Sequence, residues 1–331
     1  MLVVFLSMGC RSTHGARFEG GVGGQVDEGV RSHEPVWGGW ANADAAPGSG
    51  SSAGQGLGGA TAGHGELRGG GLDGLGEGGA RGESACGEPA TPIYAVQGPG
   101  AQSPLVDQRV VIEGIVVGDF QGSAAELGGF FVQNEAPDDD VQTSEGVFVY
   151  AGEETIQVAV GERVRVTGVV KEYFGCTEIV AERVVDCGSA PVPAPTLVSL
   201  PYRTPAELEA REGMLVQLRD LTVTDTYDLG RYGEALLSAG GRLMHPRSDA
   251  STTGEQNVRR RIVLDDARDG QYLTPVPYLG SDGTLRLGDT LKEVVAVIHF
   301  GFGQYRLEPV EPDQVHFSRE NAREATPPVV S

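Results

Sequence analysis

Lysine is almost missing from this chain of 331 residues, which holds only Lys171 and Lys292. Arginine supplies nearly all the positive charge, and Lys+Arg still number 25 against 46 Asp+Glu, a formal net charge of −21. That deficit excludes a general polyanion binder, because the field of the whole molecule repels phosphate. Aromatic residues are only 6% of the chain, and both tryptophans, Trp37 and Trp40, fall near the N-terminus in what reads as a tether. The longest terminal apolar stretch, Met1–Met8, is far short of the roughly 20 residues that span a bilayer as a helix. The six histidines stand singly, with no H-x-x-x-H or H-x-E pairing, so no zinc site and no cofactor is expected.

Glycine is abundant but unevenly spread, with 25 of the 51 in the first 85 residues. Residues 11–85 show no sustained period of 2 or 3.6 and cannot bury enough surface to offset chain entropy, so they read as a disordered Gly-rich tether. Gly50-Ser51-Ser52-Ala53-Gly54 and Gly74-Leu75-Gly76-Glu77-Gly78-Gly79 match a hydrolase elbow and a dinucleotide loop in letters only, since neither has a strand before it and a helix after it. Met1–Cys10 resembles a bacterial lipoprotein signal: an apolar run, a small residue, then a cysteine able to carry lipid. The expected protein is exported, lipid-anchored through Cys10 to the cell envelope or extracellular, and touches a membrane only through that anchor.

From residue 107 the texture becomes that of short β-branched strands. Arg109–Gly118, Gly129–Gln133, Gly146–Tyr150, Arg163–Val170 and Thr177–Val185 form one set, with a helix or extended loop expected over Ala151–Val160. Five strands with one gap describe a small Greek-key barrel of the OB type, and Gly114 and Gly168 suit its bends. After the Pro-rich spacer Ser189–Pro201, a second set follows over Met214–Thr226, Gly233–Ser238, Arg261–Leu264, Thr290–Phe300 and Tyr305–Pro309. Thr204–Arg211 reads as a short helix capped by Thr204, with Pro205 at its first turn and Glu207 closing a capping box. Met244–Val258 and Asp265–Asp289 read as long loops. The expected fold is all-β, two OB-like barrels in tandem (residues 86–190 and 202–318), with a tail over 319–331.

Charge separates the two modules. Residues 86–200 carry a net −12 and residues 201–331 a net −5, so affinity for phosphate belongs to the second. Its candidate nucleic-acid-binding residues are Tyr227, Arg231, Tyr232, Arg242, Arg247, Arg259, Arg260, Arg261, Tyr305 and Arg306, because arginine holds phosphate bidentately and stacks on bases. In the first module Phe120, Tyr173 and Phe174 flank loops where a ligand of an OB barrel lies, and about half of Phe130, Phe131, Phe148 and Tyr150 should be core. That acidic module suits packing against a partner domain better than polyanion binding. Glu135, Asp138-Asp139-Asp140 and Glu145 read as a solvated acidic loop rather than a calcium site, and His245, His299 and His316 as surface or strand-end residues. With Cys10 lipidated, Cys86, Cys176 and Cys187 leave an odd set whose pairing spacing alone does not decide.

Several blocks, in order, resemble the N-terminal region of ExeM/NucH-type bacterial extracellular nucleases. They include Ala95–Gly98, Val111–Asp119, Gly129–Gln133, Thr143–Tyr150, Gly161–Gly168, Glu212–Val216, Leu229–Glu234, Arg261–Asp266 and Phe302–Leu307. The resemblance spans about residues 86–317 and implies OB-like modules lying ahead of a metal-dependent phosphodiesterase domain. The motifs of that domain do not occur: Ser248-Asp249 is followed by Ala250, Ser281-Asp282 by Gly283, and none of the four asparagines forms Asp-x-Asn. The expectation is therefore a non-catalytic accessory region that binds or positions single-stranded nucleic acid or a nuclease catalytic domain. The alternative is a cell-surface module for carbohydrate or an envelope protein; a third expectation is a fragment whose catalytic half follows Ser331.

Overall fold

A computed structural model describes residues 85–122, 126–152, 156–243 and 250–320. The expectations for the signal, Cys10, the tether, Arg247, His245 and the tail beyond Glu320 lie outside these residues. A five-residue helix, α1 (Ile93–Gln97), precedes strands β1 (Arg109–Phe120), β2 (Gly129–Gln133), β3 (Gly146–Tyr150), β4 (Glu162–Tyr173) and β5 (Cys176–Ser189). These five close into a barrel in the order β1-β2-β3-β5-β4. The long β1 serves both sides. Its first half pairs with β4 and its second half, from Ile115, with β2. Gly168 sits where β4 approaches β5 so closely that a Cβ would lie 2.4 Å from the Val180 carbonyl oxygen, and the register shifts at that point.

The spacer after β5 contributes β6 (Thr196–Leu197), then α2 (Ala206–Glu209), β7 (Leu215–Asp225), α3 (Leu229–Tyr232), β8 (Ala235–Ala239), α4 (Ala250–Arg259), β9 (Arg261–Leu264), β10 (Thr290–Gly301), β11 (Gln304–Pro309) and β12 (Phe317–Ser318). β7, β8, β9, β11 and β10 pair in the same cyclic order as the first barrel, and the β7–β10 pairing closes the ring. In each barrel the third and fifth strands are parallel and every other pairing is antiparallel. The fold is all-β, with two OB-like barrels.

Three local expectations change. Thr204 does not cap α2: Pro205 takes the cap position, and Glu207 reaches past it to accept the Arg203 N–H at 3.3 Å. Residues 250–259, read as loop, form α4; Gly254 and the neighbouring threonines hide it from propensity. The spacer is no free hinge, because β6 adds to β7 in parallel and Val198, Leu200 and Tyr202 pack on the second core.

Each barrel has its own apolar interior, built around Ile112, Val132 and Val166 in the first and Leu218, Leu237 and Ile298 in the second. All five residues of β2 and of β3 are buried, on both faces. Period-2 alternation sends Phe130 inward and Phe131 outward. Outside the first barrel, Phe131 and Phe148 meet Leu215, Ala267 and Val297 of the second in a third apolar cluster. Burial of a side chain of this size stabilises by about 1.5–3 kcal/mol. The first module therefore packs its outer face on a neighbouring domain, the second barrel of the same chain.

Backbone contact seals this junction. Gly146 and Gly213 lie so close that a Cβ on Gly146 would stand 2.2 Å from the Gly213 carbonyl carbon. Around them Ser144 Oγ donates to the Glu212 carbonyl at 2.6 Å, the Thr177 N–H to Glu212 Oε1 at 2.9 Å, and the Leu215 N–H to Gln133 Oε1 at 2.9 Å. Burial raises the Glu212 carboxyl well above its ordinary value, with Glu209 and Glu172 adding to the rise against the Thr177 hydrogen bond. Cys86 and Cys187 form a disulfide that joins the chain entering the first barrel to its last strand, leaving Cys176 reduced and buried.

Candidate binding pocket between the barrels

In both barrels a two-residue turn joins the last two strands, Phe174-Gly175 after β4 and Phe302-Gly303 after β10. All four residues have positive φ: 51° and 87° in the first turn, 54° and 77° in the second. Such turns match the twist of a hairpin and favour Asn-Gly, so a phenylalanine at the first position is strained by about 1–2 kcal/mol. Neither ring is compensated by burial, since Phe174 is 73% exposed and Phe302 53%. Both line one cavity of about 240 Å³.

The cavity lies where the same connections of the two barrels meet. Leu127, from the loop joining the first two strands of the first barrel, and Tyr232, from the equivalent loop of the second, both line it. Those loops and the last hairpin are where OB barrels hold oligonucleotides and oligosaccharides. The first barrel's ligand face is thus spent on the junction, and its hairpin becomes a wall of the second barrel's site.

Beneath the aromatic rim runs a charged network. Arg306 is buried and donates from Nη1 to Glu234 Oε1 at 3.0 Å and to Asp265 Oδ2, and from Nη2 to the Gly301 carbonyl at 2.9 Å. Burial opposes its charge, but Asp265, Glu234 and Glu308 outweigh that and raise its pKa. Arg268 donates from Nε to Asp266 Oδ2 at 3.0 Å. Burial lifts Asp266 to about 6 despite that bond. His299 Nδ1 lies 3.1 Å from Glu308 Oε1, and burial, reinforced by Arg306, lowers the imidazole to about 3, so it is neutral at physiological pH. Burial also raises Glu308 well above the usual carboxylate range, with Asp265 adding to the rise. Tyr278, fully buried from the long β9–β10 segment, ties that segment down by donating to the Gly233 carbonyl at 2.6 Å.

The expected basic track does not assemble as one surface. Arg306 is consumed by the network, so it is withdrawn as a phosphate contact. Arg260 clamps the carbonyls of Ala239, Gly240 and Gly241 at 2.7–3.2 Å and acts as a turn cap. Tyr305 donates to Glu209 and packs on Phe300. Arg261 is half-buried near Tyr202. Arg242 and Arg259 are exposed, and Tyr227 is 89% exposed. Arg231 is exposed, 4.9 Å over the Tyr232 ring and 3.1 Å from Gln271 Oε1. Of the nine candidates among the described residues, Tyr232 and Arg306 line the cavity.

Sequence reading missed most of the cavity. Of the first-module aromatics, Phe174 and Tyr173 reach it, whereas Phe120 is buried in the junction. His299, expected at a surface or strand end, lies two residues before the end of β10 but is buried there; His316 is exposed. In the acidic loop Glu145 is buried and accepts the Asp138 N–H at 2.7 Å, while Asp138 and Asp140 close their own turns. Among the described residues no cluster of three His, Cys, Asp or Glu is arranged to hold a metal, and no helix is long and apolar enough to cross a membrane.

A family model described as a domain of unknown function (DUF8508) matches residues 207–317, from α2 to the start of β12. The match covers the second barrel, which carries most of the pocket. No curated protein matches the chain.

Proposed function

We propose that this chain is a non-catalytic binding module whose two OB-like barrels hold single-stranded nucleic acid at the pocket between them, positioning it for a nuclease catalytic domain. One observation carries the reading: two equivalent hairpins bear strained, exposed phenylalanines, Phe174 and Phe302, at the mouth of one cavity in the ligand position of an OB barrel. Base stacking on such rings is worth about 1–3 kcal/mol per base. The exposed Arg231, Arg242 and Arg259 are the residues available to phosphates outside the cavity. The resemblance to extracellular nuclease accessory regions favours the same ligand. The Cys86–Cys187 disulfide supports export, because such bonds persist in oxidising compartments.

A second reading, a neutral glycan, is favoured by the carboxyl groups of Glu234, Asp265, Asp269 and Glu308 around the cavity, which repel phosphate and accept sugar hydroxyls. Fluorescence anisotropy with a labelled single strand at low salt separates the two. Saturable binding that weakens about tenfold in Phe302→Ala supports nucleic acid. Binding to cell-wall glycan that is indifferent to polyanion competitors transfers the function to the second reading.

A further inference from the structure

The cavity's cations are turned largely onto its own acceptors, although Arg306 Nε keeps no partner among the described residues. Arg306 spends both terminal nitrogens on Glu234, Asp265 and the Gly301 carbonyl, and Arg268 is held by Asp266 and by the Pro275 carbonyl at 3.0 Å. Acceptor capacity remains. Glu234 gives only Oε1 to Arg306 and stays 17% exposed at the cavity.

We infer that the pocket selects its occupant by hydrogen-bond donors, admitting a single unpaired base and preferring guanine to thymine. The inference rests on the nucleic-acid reading above. A cavity of about 240 Å³ is large enough for one base. Guanine presents N1–H and the N2 amino group side by side, matching the two oxygens of a carboxyl group. Thymine presents one N–H flanked by two carbonyl oxygens, which would face the oxygens of Glu234 and Asp265. Adenine and cytosine, with one amino group each, fall between. Phe174 and Phe302 stack on any base and so supply affinity without preference.

The test uses the full chain and labelled single strands of about 12 thymidines, within the span OB barrels cover, in which the central residue is dT, dG or deoxyinosine. The dG strand should bind at least tenfold tighter than the dT strand. Deoxyinosine keeps N1–H but lacks the amino group, and should lose most of that advantage without any change in the protein. Glu234→Gln should cut the dG advantage below about twofold, weakening dG binding and strengthening dT binding, because the amide can donate to thymine's carbonyl oxygens. Equal binding of dG and dT strands overturns this inference alone. Failure of every strand to bind overturns it together with the nucleic-acid reading.

Discussion

Phe174 and Phe302 occupy the same turn position in two different barrels, each left-handed, each followed by glycine, and both open onto one cavity. A residue type that resists this conformation has been used twice where Asn would relieve it. Strain retained twice at a shared mouth is a mark of function rather than stability. Phe174→Asn should therefore raise stability by about 0.5–1 kcal/mol, or about 2 °C in Tm for a domain pair of this size, while weakening ligand binding. A calorimetric scan showing a lower Tm would mean that the contact of Phe174 with Tyr173, 4.7 Å between ring centroids, outweighs the strain.

The Gly146–Gly213 contact admits no side chain. Gly146→Ala forces a methyl group against backbone that is held by the Ser144 and Thr177 hydrogen bonds. We expect a loss of at least about 3 kcal/mol in urea unfolding, because neither barrel can yield without opening the phenylalanine cluster behind it. A loss below 1 kcal/mol would show that the junction slides.

Asp266 gives the pocket a pH signature. Its folded pKa, about 6, lies above its ordinary 3.8. The folded state thus binds the proton more tightly than the unfolded chain does. Stability from this group is complete below about pH 4 and falls as pH rises through 6, by up to about 3 kcal/mol. Asp266→Asn should flatten the unfolding free energy between pH 4 and 6 relative to the parent. An unchanged slope would assign the dependence to other carboxyls, such as Glu234.

The disulfide closes a span of 101 residues. Cross-links of that length restrict the unfolded chain by about 4–5 kcal/mol in the loop-entropy account. Replacing Cys86 and Cys187 with Ser should lower stability by about 3–5 kcal/mol without moving the pocket, because Cys187 lies near the far end of β5 from the Phe174-Gly175 turn that lines it. Binding that disappears while the fold remains would contradict this separation.

All ten barrel strands were legible in the sequence, because β-branched alternation between Gly and Asp turns has few other solutions. Their ends moved by only a few residues; β5, for example, runs on to Ser189. The relation between the barrels was not legible. Phe131 and Phe148 look like ordinary core in one dimension, and nothing local says that their face meets a second barrel. Arg306 misled for the opposite reason: beside Tyr305 it reads as an exposed stacking pair, whereas Asp265, far away in sequence, draws it inside. One signal was present and unused. The dipeptide Phe-Gly joins the last two strands of both sets, where Asn-Gly is the ordinary choice.

Because the outward phenylalanines of one barrel rest on Leu215 and Val297 of the other, the two halves cannot drift independently through evolution. A bulkier residue at 148 demands a smaller one at 215 or 297. Chains built to this plan should accordingly carry correlated substitutions across the seam, and the second half, excised at residue 207, should precipitate unless those positions are made polar.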